Sequence, residues 1–413
     1  MYLKNLLILV LTIWTTFDCS ARKISVSNQQ GKTDLKYIIE NAKTFDTIII
    51  KKGHYFCNNI TIKKTLTILG EGMPVIDGGL KGEVFTIQAD HIRIKGLKIQ
   101  NTGSSDLKEL AGIKLYNSNY CSIENNEFYN TYFGIYISNS TYCKVTGNNI
   151  QGTATVETSS GNGIHLWKSS HCLITNNKIE HHRDGIYFEF VTKTNITNNN
   201  STKNLRYGLH FMFSDGNSYE YNTFTNNGAG VAVMYTRNIK MMHNVFENNW
   251  GDAAYGILLK DISHSTISNN VFLKNTVGIY MEGSGHLMIN NNQFENNGWA
   301  LKIMANCTED TLIKNNFTGN SFDVSTNGTS NENIYSENYW DNYKGYDLNR
   351  DNIGDVPYRP VSLFSLIVEE IPTSIILLRS FMVDILNQAE KMVPVFIPES
   401  IIDNKPRMTM YDY

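Results

Sequence analysis

A glycine-led signature recurs nine times between residues 111 and 318, each copy alternating apolar and polar residues before a polar turn that is often a pair of asparagines. Its first positions are Gly112, Gly134, Gly163, Gly185, Gly208, Gly230, Gly256, Gly278 and Ala300. By subtraction, the intervals are 22, 29, 22, 23, 22, 26, 22 and 22 residues. A repeat of this length predicts a solenoid, in which each unit is stabilised by stacking on its neighbours.

Each repeat contains two or three short β runs and leaves no room for a helix. Asparagine tolerates the left-handed conformation and hydrogen-bonds locally, so the Asn pairs are expected where the chain turns. Stacked amides at these turns are expected to bond coil to coil. The pattern therefore predicts an all-β solenoid, a right-handed single-stranded parallel β-helix, over residues 22–340.

Insertions and the N-terminal end interrupt the regular period. The two longer intervals hold residues 153–162 and 249–255, which are expected to project from one side, where binding commonly occurs in solenoids. Residues 34–43 form a short amphipathic pattern after a candidate capping aspartate. We expect this helix to cover the open strand edges at the N-terminal end.

The period-two pattern separates residues inside the coil from residues outside it. The first and third residues after each glycine are apolar and are predicted to face inward, so the second and fourth face outward. The outward rows contain soft-metal ligands with one nearby carboxylate: His165, Glu189, His210, Met212, Met234 and Met304. Imidazole and thioether groups suit Cu(I), so we hypothesise a transient copper-transfer surface. A packing surface covered by the inserted loops or by a partner is the alternative.

Three cysteines, Cys121, Cys143 and Cys172, each lie nine residues after their glycine and should stack in successive coils. Free cysteine packs well in apolar interiors, so an interior ladder is expected. A thiolate column for a soft metal is the alternative.

The N-terminus predicts export. Residues 1–21 have Lys4, an apolar run over 6–14, and small residues Ser20 and Ala21, which is typical of a signal peptide. Lipidation at Cys19 is the alternative, although Asp18 before it is unfavourable. The net charge is −3 and no basic stripe occurs, which argues against a nucleic-acid partner.

Residues 341–360 are predicted to form a capping loop after the repeats. Within DLNRDNIGDVPY, the residues Asp347, Asn349, Asp351 and Asp355, with the carbonyl of Ile353, resemble the first half of a calcium loop. The usual final glutamate is missing. A polar turn that hydrogen-bonds to itself is the alternative.

Residues 361–413 are predicted to be an amphipathic helical tail, because apolar residues recur there at helical spacing. Charged residues and Pro372 interrupt the runs, so neither is a membrane span. We expect the tail to dock to a partner through Leu363, Leu366, Ile367, Leu378, Phe381, Met382 and Ile385. Folding back over the open end of the β-helix is the alternative.

Several blocks resemble the NosD family in order along residues 24–400. They read SSGNGIHLWKS, HHRDGIYFEFVT, LRYGLHFMFSDGN, GAGVAVMY, WGDAAYGILLKDIS, GIYMEGS and YWDNYKGYDLNRDNIGDVPYRPVSLFSLIVE. The resemblance implies a periplasmic, non-enzymatic accessory protein, membrane-associated through the permease of an ABC-type transporter that also has an ATPase subunit. It also implies a role in copper-site assembly of nitrous oxide reductase, together with a periplasmic copper chaperone. A sulfur species is an equally open cargo, and no motif fixes the metal ligands.

A carbohydrate-active enzyme is the rival function, since many parallel β-helices are polysaccharide lyases, epimerases or glycosidases. Such chemistry needs clustered acidic or basic side chains. The candidates are Arg183, Asp184, Glu189, Asp215, Lys260, Asp261 and Glu282. The outward rows are dominated instead by Tyr, His, Met and small residues, which disfavours both this function and that of a structural adhesin.

Overall fold

The computed structural model describes residues 21–28, 33–105, 107–251, 253–328, 332–392 and 401–412. The predicted signal peptide, with Cys19, lies outside these residues except for Ala21. Within them, nearly every coil contributes one short strand to each of three parallel sheets, which confirms the predicted β-helix.

Sheet 1 contains the glycine-led strands. Within the described residues its 12 strands are Ile60–Ile62, Phe85–Ile87, Ala111–Tyr116, Phe133–Ser138, Ile164–Trp167, Asp184–Glu189, Tyr207–Met212, Ala229–Met234, Tyr255–Lys260, Val277–Glu282, Trp299–Ile303 and Phe322–Ser325. Each strand pairs in parallel with the equivalent strand of the next coil, so equivalent repeat positions form rows along the rod.

Sheets 2 and 3 hold the strands on either side of the asparagine turns. In the described part of the chain, the 14 strands of sheet 2 are Lys23–Val26, Thr47–Lys51, Thr67–Glu71, Arg93–Lys95, Ser122–Glu124, Lys144–Thr146, Leu173–Thr175, Asn195–Thr197, Ser218–Glu220, Lys240–Met242, Thr266–Ser268, Met288–Asn290, Thr311–Ile313 and Ile334–Ser336. The 13 described strands of sheet 3 are His54–Phe56, Val75–Asp77, Lys98–Gln100, Glu127–Tyr129, Asn149–Gln151, Lys178–Glu180, Asn200–Thr202, Thr223–Thr225, Val245–Glu247, Val271–Leu273, Gln293–Glu295, Asn316–Thr318 and Tyr339–Trp340.

The core follows the predicted inward rows. Ile186 and Phe188 on one coil, and Leu209 and Phe211 on the next, are completely buried. Burying such side chains from water is the main favourable term in folding. Cys121, Cys143 and Cys172 also belong to this interior cluster, which confirms the interior ladder.

A buried amide ladder joins the coils at the turn between sheets 2 and 3. Asn199 is typical: its Nδ2 donates to the carbonyl of Ile174 and to Oδ1 of Asn222, and its own Oδ1 accepts from the backbone and side chain of Asn177. The preceding residue, Asn198, has a φ of 55°. In pairs of this kind the first residue turns the chain and the second bonds coil to coil, whereas Gly147 makes the turn before the ladder residue Asn148.

The N-terminal end is covered by α1, Leu35–Asn41, whose first turn is capped by the Asp34 carboxylate accepting from the Tyr37 N–H. Leu35 and Ile39 are buried in the core, as the sequence predicts for a plug. In the first insertion, the segment Glu157–Ser159 forms a 3₁₀ turn.

The predicted C-terminal tail is helical only in part. It contains α2, Leu363–Glu370, a 3₁₀ segment, Pro372–Leu377, and α3, Phe381–Met392. None of the helices in the described residues is long and apolar enough to span a membrane. Residues 401–412 are not helical, which corrects the prediction of one helical tail over 361–413.

Residues 401–412 instead form a terminal clasp on the last coils. Asp403 pairs in parallel with Tyr335 and in antiparallel with Tyr358. The completely buried Asp403 carboxylate accepts from the backbone and side chain of Asn338 and from Nε1 of Trp340. It therefore ends the asparagine ladder, and residues 361–400 are an excursion between two paired segments.

Candidate functional site

Two outward rows of sheet 1 bring a histidine and two methionines together. Strand Tyr207–Met212 pairs with strand Ala229–Met234 so that Met212 lies beside Met234, and His210 lies beside Ala232. His210 and Met212 are two residues apart and therefore project from the same face. The structure thus places one imidazole and two thioethers on adjacent coils.

His210 lies outside the coil but is not exposed to solvent. Its side chain is 1% accessible, and the rings of Tyr187 and Tyr207 lie 4.9 and 4.8 Å from its own ring. The prediction of an open, outward-facing His210 is therefore wrong in its exposure, because Tyr187 of the preceding coil and Tyr207 of the same strand cover the imidazole.

The two ring nitrogens of His210 have different surroundings. Nδ1 accepts from Nη2 of Arg206 at 3.3 Å and lies 3.6 Å from Oδ2 of Asp184. Nε2 is buried and has no hydrogen-bond partner among the described residues. Burial lowers the pKa of His210, although the Asp184 carboxylate acts in the opposite direction. A neutral imidazole binds a metal through Nε2 only when its proton resides on Nδ1.

The thioethers are more accessible than His210. Met212 and Met234 are both half-buried, and the Tyr187 hydroxyl donates to the sulfur of Met212 at 3.5 Å. Glu189 is also half-buried and lies beside Met212 in the register. The methionines are therefore the more solvent-accessible members of this group.

His165 and Met304 are not brought to this place. The strand that carries Tyr187 lies between the strands of His165 and His210, so the two histidines are two strands, or about 10 Å, apart. Asn162 Nδ2 lies 3.1 Å from His165 Nδ1, and burial lowers the pKa of His165 to about 3. Met304 is three strands from Met234 and only 8% exposed. The six predicted residues thus reduce to His210, Met212 and Met234, with Glu189 alongside.

Arg206 and the role of Asp184 at this site were not predicted. Asp184 is completely buried, with its Oδ1 3.6 Å from Nε of Arg206 and its Oδ2 3.8 Å from Nε of Arg183. The period-two count gave no signal for it, because Asp184 lies three residues before Tyr187 and so has the parity of the inward residues Ile186 and Phe188. In the described residues, no three His, Cys, Asp or Glu side chains are grouped to hold a metal.

The acidic and basic residues considered for carbohydrate chemistry are dispersed. Asp184 is buried among arginines, Asp215 pairs with Arg237 at 3.1 Å, and Lys260 pairs with Glu282 at 3.7 Å. Asp261 lies at an exposed turn. These side chains do not share one cleft.

The candidate calcium loop is closed by its own hydrogen bonds. Asp347 accepts from the N–H groups of Arg350 and Asn352, Asp351 accepts from Ile353, and Oδ2 of Asp355 accepts from the N–H of Leu348. Asn349 bonds to Asp351. These contacts fit the polar self-bonded turn, and calcium binding by Asp347, Asn349, Asp351 and Asp355 stays a prediction.

The tail presents both a buried and an exposed face. Phe364, Val368 and Val383 pack with Phe322 of the last strand of sheet 1, and Glu369 forms an ion pair with Lys302 at 2.8 Å. Of the predicted docking residues, Leu363, Leu366, Ile367 and Leu378 are partly buried, whereas Phe381, Met382 and Ile385 are exposed. Ile371, Ile375, Ile376 and Leu377 extend this exposed set.

Two family models match the chain. Residues 82–162 match a right-handed β-helix region, and residues 150–345 match the model described as periplasmic copper-binding protein (NosD). The second range contains His210, Met212, Met234 and Asp184, so the candidate site lies within the matched region.

Whole-chain relatives agree with this match. The chain is 26% identical over 387 residues to the probable ABC transporter binding protein NosD of Pseudomonas aeruginosa, covering 86% of each chain. It is 28% identical over 379 residues to the protein of the same name from Stutzerimonas stutzeri, covering 85% of this chain and 84% of that one.

A solved structure supports the fold alone. The family 28 exopolygalacturonase of Yersinia enterocolitica superposes with a TM-score of 0.62 at 11% identity, covering 76% of this chain and 78% of that chain. At such identity the likeness extends to the β-helix and not to the chemistry. The chain is therefore similar to the NosD family along most of its length, and the candidate site lies within the part that the family model matches.

Proposed function

We propose that this protein is the periplasmic accessory subunit of an ABC-type transporter and passes Cu(I) toward the copper site of nitrous oxide reductase. The observation that carries the proposal is that His210, whose buried Nε2 has no hydrogen-bond partner among the described residues, shares a strand face with Met212, which lies beside Met234 in the register. One imidazole and two thioethers are soft, neutral ligands that favour Cu(I). A periplasmic copper chaperone is the expected donor.

The proposed site has features of a transfer site and not of a permanent store. Its ligands are few and uncharged, and the two sulfurs are the more accessible groups. A Cu(I) ion would meet the methionines first and the imidazole second. Such a site holds copper loosely enough to release it to the next protein.

Replacing the sulfurs tests the copper proposal directly. Leucine fills nearly the same volume as methionine, so Met212→Leu with Met234→Leu removes the ligands and keeps the packing. We expect Cu(I) affinity, measured anaerobically by competition with a chromophoric chelator, to fall at least about tenfold.

The matched control is Met288→Leu, which removes an exposed methionine from sheet 2. It should bind Cu(I) as the natural protein does. Equal affinity in the control and the double variant would contradict the site, and measuring sulfide binding in parallel tests the alternative cargo.

We propose that the exposed face of the tail docks to the transporter permease. Ile376 is 87% exposed and Phe381 is 78% exposed, on a segment whose opposite face is fixed to the β-helix by Phe364 and Val383. Contiguous exposed apolar side chains of this kind mark interaction surfaces. Folding back on the β-helix and docking to a partner are therefore compatible, because one face of the tail is packed and the other is free to dock.

Surface substitutions separate docking from folding. We expect Ile376→Ser with Phe381→Ser to leave the unfolding temperature nearly unchanged and to abolish co-purification with co-expressed permease and ATPase. Leu107→Ser with Leu348→Ser is the control, because both residues are exposed apolar side chains remote from the tail. Undiminished co-purification of the tail variant would place the docking surface elsewhere.

The rival function is a polysaccharide-active enzyme, favoured only by the exopolygalacturonase likeness. The dispersal of Asp184, Asp215 and Glu282 into separate ion pairs disfavours it. Cleavage of uronate polymers by the purified mature protein would revive it.

A further inference from the structure

Two oppositely charged side chains compete for the same nitrogen of His210. Nη2 of Arg206 donates to Nδ1 at 3.3 Å, and Oδ2 of Asp184 lies 3.6 Å from that nitrogen. A guanidinium can only donate a hydrogen bond, whereas an ionised carboxylate can only accept one. The two residues therefore favour opposite tautomers of one neutral imidazole.

The choice of tautomer decides whether Nε2 can bind a metal. When Arg206 donates to Nδ1, the proton resides on Nε2 and points into a place without an acceptor among the described residues. When Nδ1–H donates to Asp184, Nε2 carries a lone pair. Metal-binding histidines commonly donate their second N–H to a carboxylate in this way.

The surrounding contacts allow both arrangements. Oδ2 of Asp184 has no hydrogen-bond partner in the described part of the chain, so it is free to accept from His210. Arg206 has other partners close by, since its Nε is 3.6 Å from Oδ1 of Asp184 and its guanidinium lies 4.6 Å from the ring centre of Tyr207. A short movement of Arg206 would release Nδ1 while the arginine stays within the cluster.

We infer that Arg206 and Asp184 form a tautomer switch on His210, in which Arg206 holds the copper-free state and Asp184 holds the copper-binding state. The inference rests on the proposed function. In the switch, one proton leaves Nε2 and one appears on Nδ1, so the imidazole stays neutral and no net proton is released. Asp184 and Arg206 are positioning residues, since neither contacts copper.

The first measurement needs no copper. Nitrogen-15 NMR of histidine-labelled protein distinguishes the two neutral tautomers of His210. We expect the Nε2–H form in the natural protein and in Asp184→Asn, and the Nδ1–H form in Arg206→Met. A purely structural role of Arg206 would not move this signal, and an unchanged tautomer in Arg206→Met overturns the switch.

The second measurement is Cu(I) affinity of the same proteins. Asp184→Asn should bind about tenfold more weakly, because its carboxamide N–H favours the wrong tautomer. Arg206→Met should bind more tightly, and Arg206→Lys, which retains a donor, should resemble the natural protein. Copper binding by Asp184→Asn as tight as that of the natural protein overturns the role of Asp184.

The two proposals fail in distinguishable ways. If the natural protein binds no Cu(I) but Arg206→Met changes the tautomer, the switch stands and the copper function fails. If circular dichroism shows that Asp184→Asn is unfolded, the His210 tautomer and the Cu(I) affinity of Arg206→Met and Arg206→Lys still test the switch. Arg206 is partly exposed and tolerates both changes without creating a buried cavity.

Discussion

Phe211→Asp is expected to destroy at least the central coils of the β-helix. Phe211 is completely buried and contacts the rings of Phe188 and Tyr219. The change removes a large apolar side chain, at about 3–5 kcal/mol, and buries a carboxylate with no partner, at several kcal/mol more. The sum is comparable with the whole stability of a typical domain.

The matched control for Phe211→Asp is two residues away. Phe213 is 43% exposed at a turn with a φ of 50°, a conformation that aspartate adopts more readily than phenylalanine. Phe213→Asp should therefore unfold near the natural temperature. Limited proteolysis of Phe211→Asp should cut first in the coils near residue 211, because each coil is stabilised mainly by its neighbours. Natural stability of Phe211→Asp would contradict the assignment of inward and outward rows.

The repeated part of the β-helix could be predicted because the direction of each side chain depends only on its position within one coil. A coil of 22 residues must alternate inward and outward side chains, so Ile186, Phe188, Leu209 and Phe211 are identified by counting from a glycine. The asparagine ladder follows from the same count. Neither inference needs the identity of a distant residue.

The environment of His210 could not be predicted because it depends on side-chain directions. Counting from Gly208 places His210 outside the coil, and the structure agrees. Its burial arises because the rings of Tyr187 and Tyr207 pack against it, and because Arg206, directly before the strand, reaches its Nδ1. Rotamers of large side chains are not encoded in a period-two pattern.

The copper hypothesis changes accordingly. On sequence alone, the ligands were an exposed row spanning several coils, which included His165 and Met304. An ion can contact only neighbouring strands, about 4.8 Å apart, so the proposed site contracts to His210, Met212 and Met234.

The terminal clasp could not be predicted from the repeat either, because residues 401–412 lie outside the repeated sequence. Asp403 occupies the next place in the ladder of amides, but 65 residues separate it from Asn338 in the chain. Its carboxylate accepts three hydrogen bonds from Asn338 and Trp340, groups that an added coil would otherwise satisfy. An aspartate suits the last position because it can only accept, and the ladder ends there.

Truncation after Pro360 is consequently expected to destabilise the protein, because it removes the clasp together with the helices. The truncated chain leaves the backbone and side-chain N–H groups of Asn338 and Nε1 of Trp340 without an acceptor, and it uncovers Trp340 at the end of the core. Each of these hydrogen bonds to a charged acceptor contributes about 1.5–3 kcal/mol, so a loss of at least about 3 kcal/mol is expected. Thermal unfolding followed by circular dichroism measures it.

An internal deletion should spare the fold and remove only the docking function. Tyr358 and Asp403 exchange backbone hydrogen bonds at 2.9 and 2.8 Å, so the two ends of the excursion already lie side by side. Replacing residues 362–400 with a short Gly-Ser linker keeps that pair, together with buried Val361 and Ile401. We expect this variant to unfold at a clearly higher temperature than the truncation at Pro360, yet to fail to co-purify with the permease and ATPase. If instead the two deletions unfold alike, the clasp does not stabilise the last coil, and Asp403→Ala should then be as stable as the natural protein.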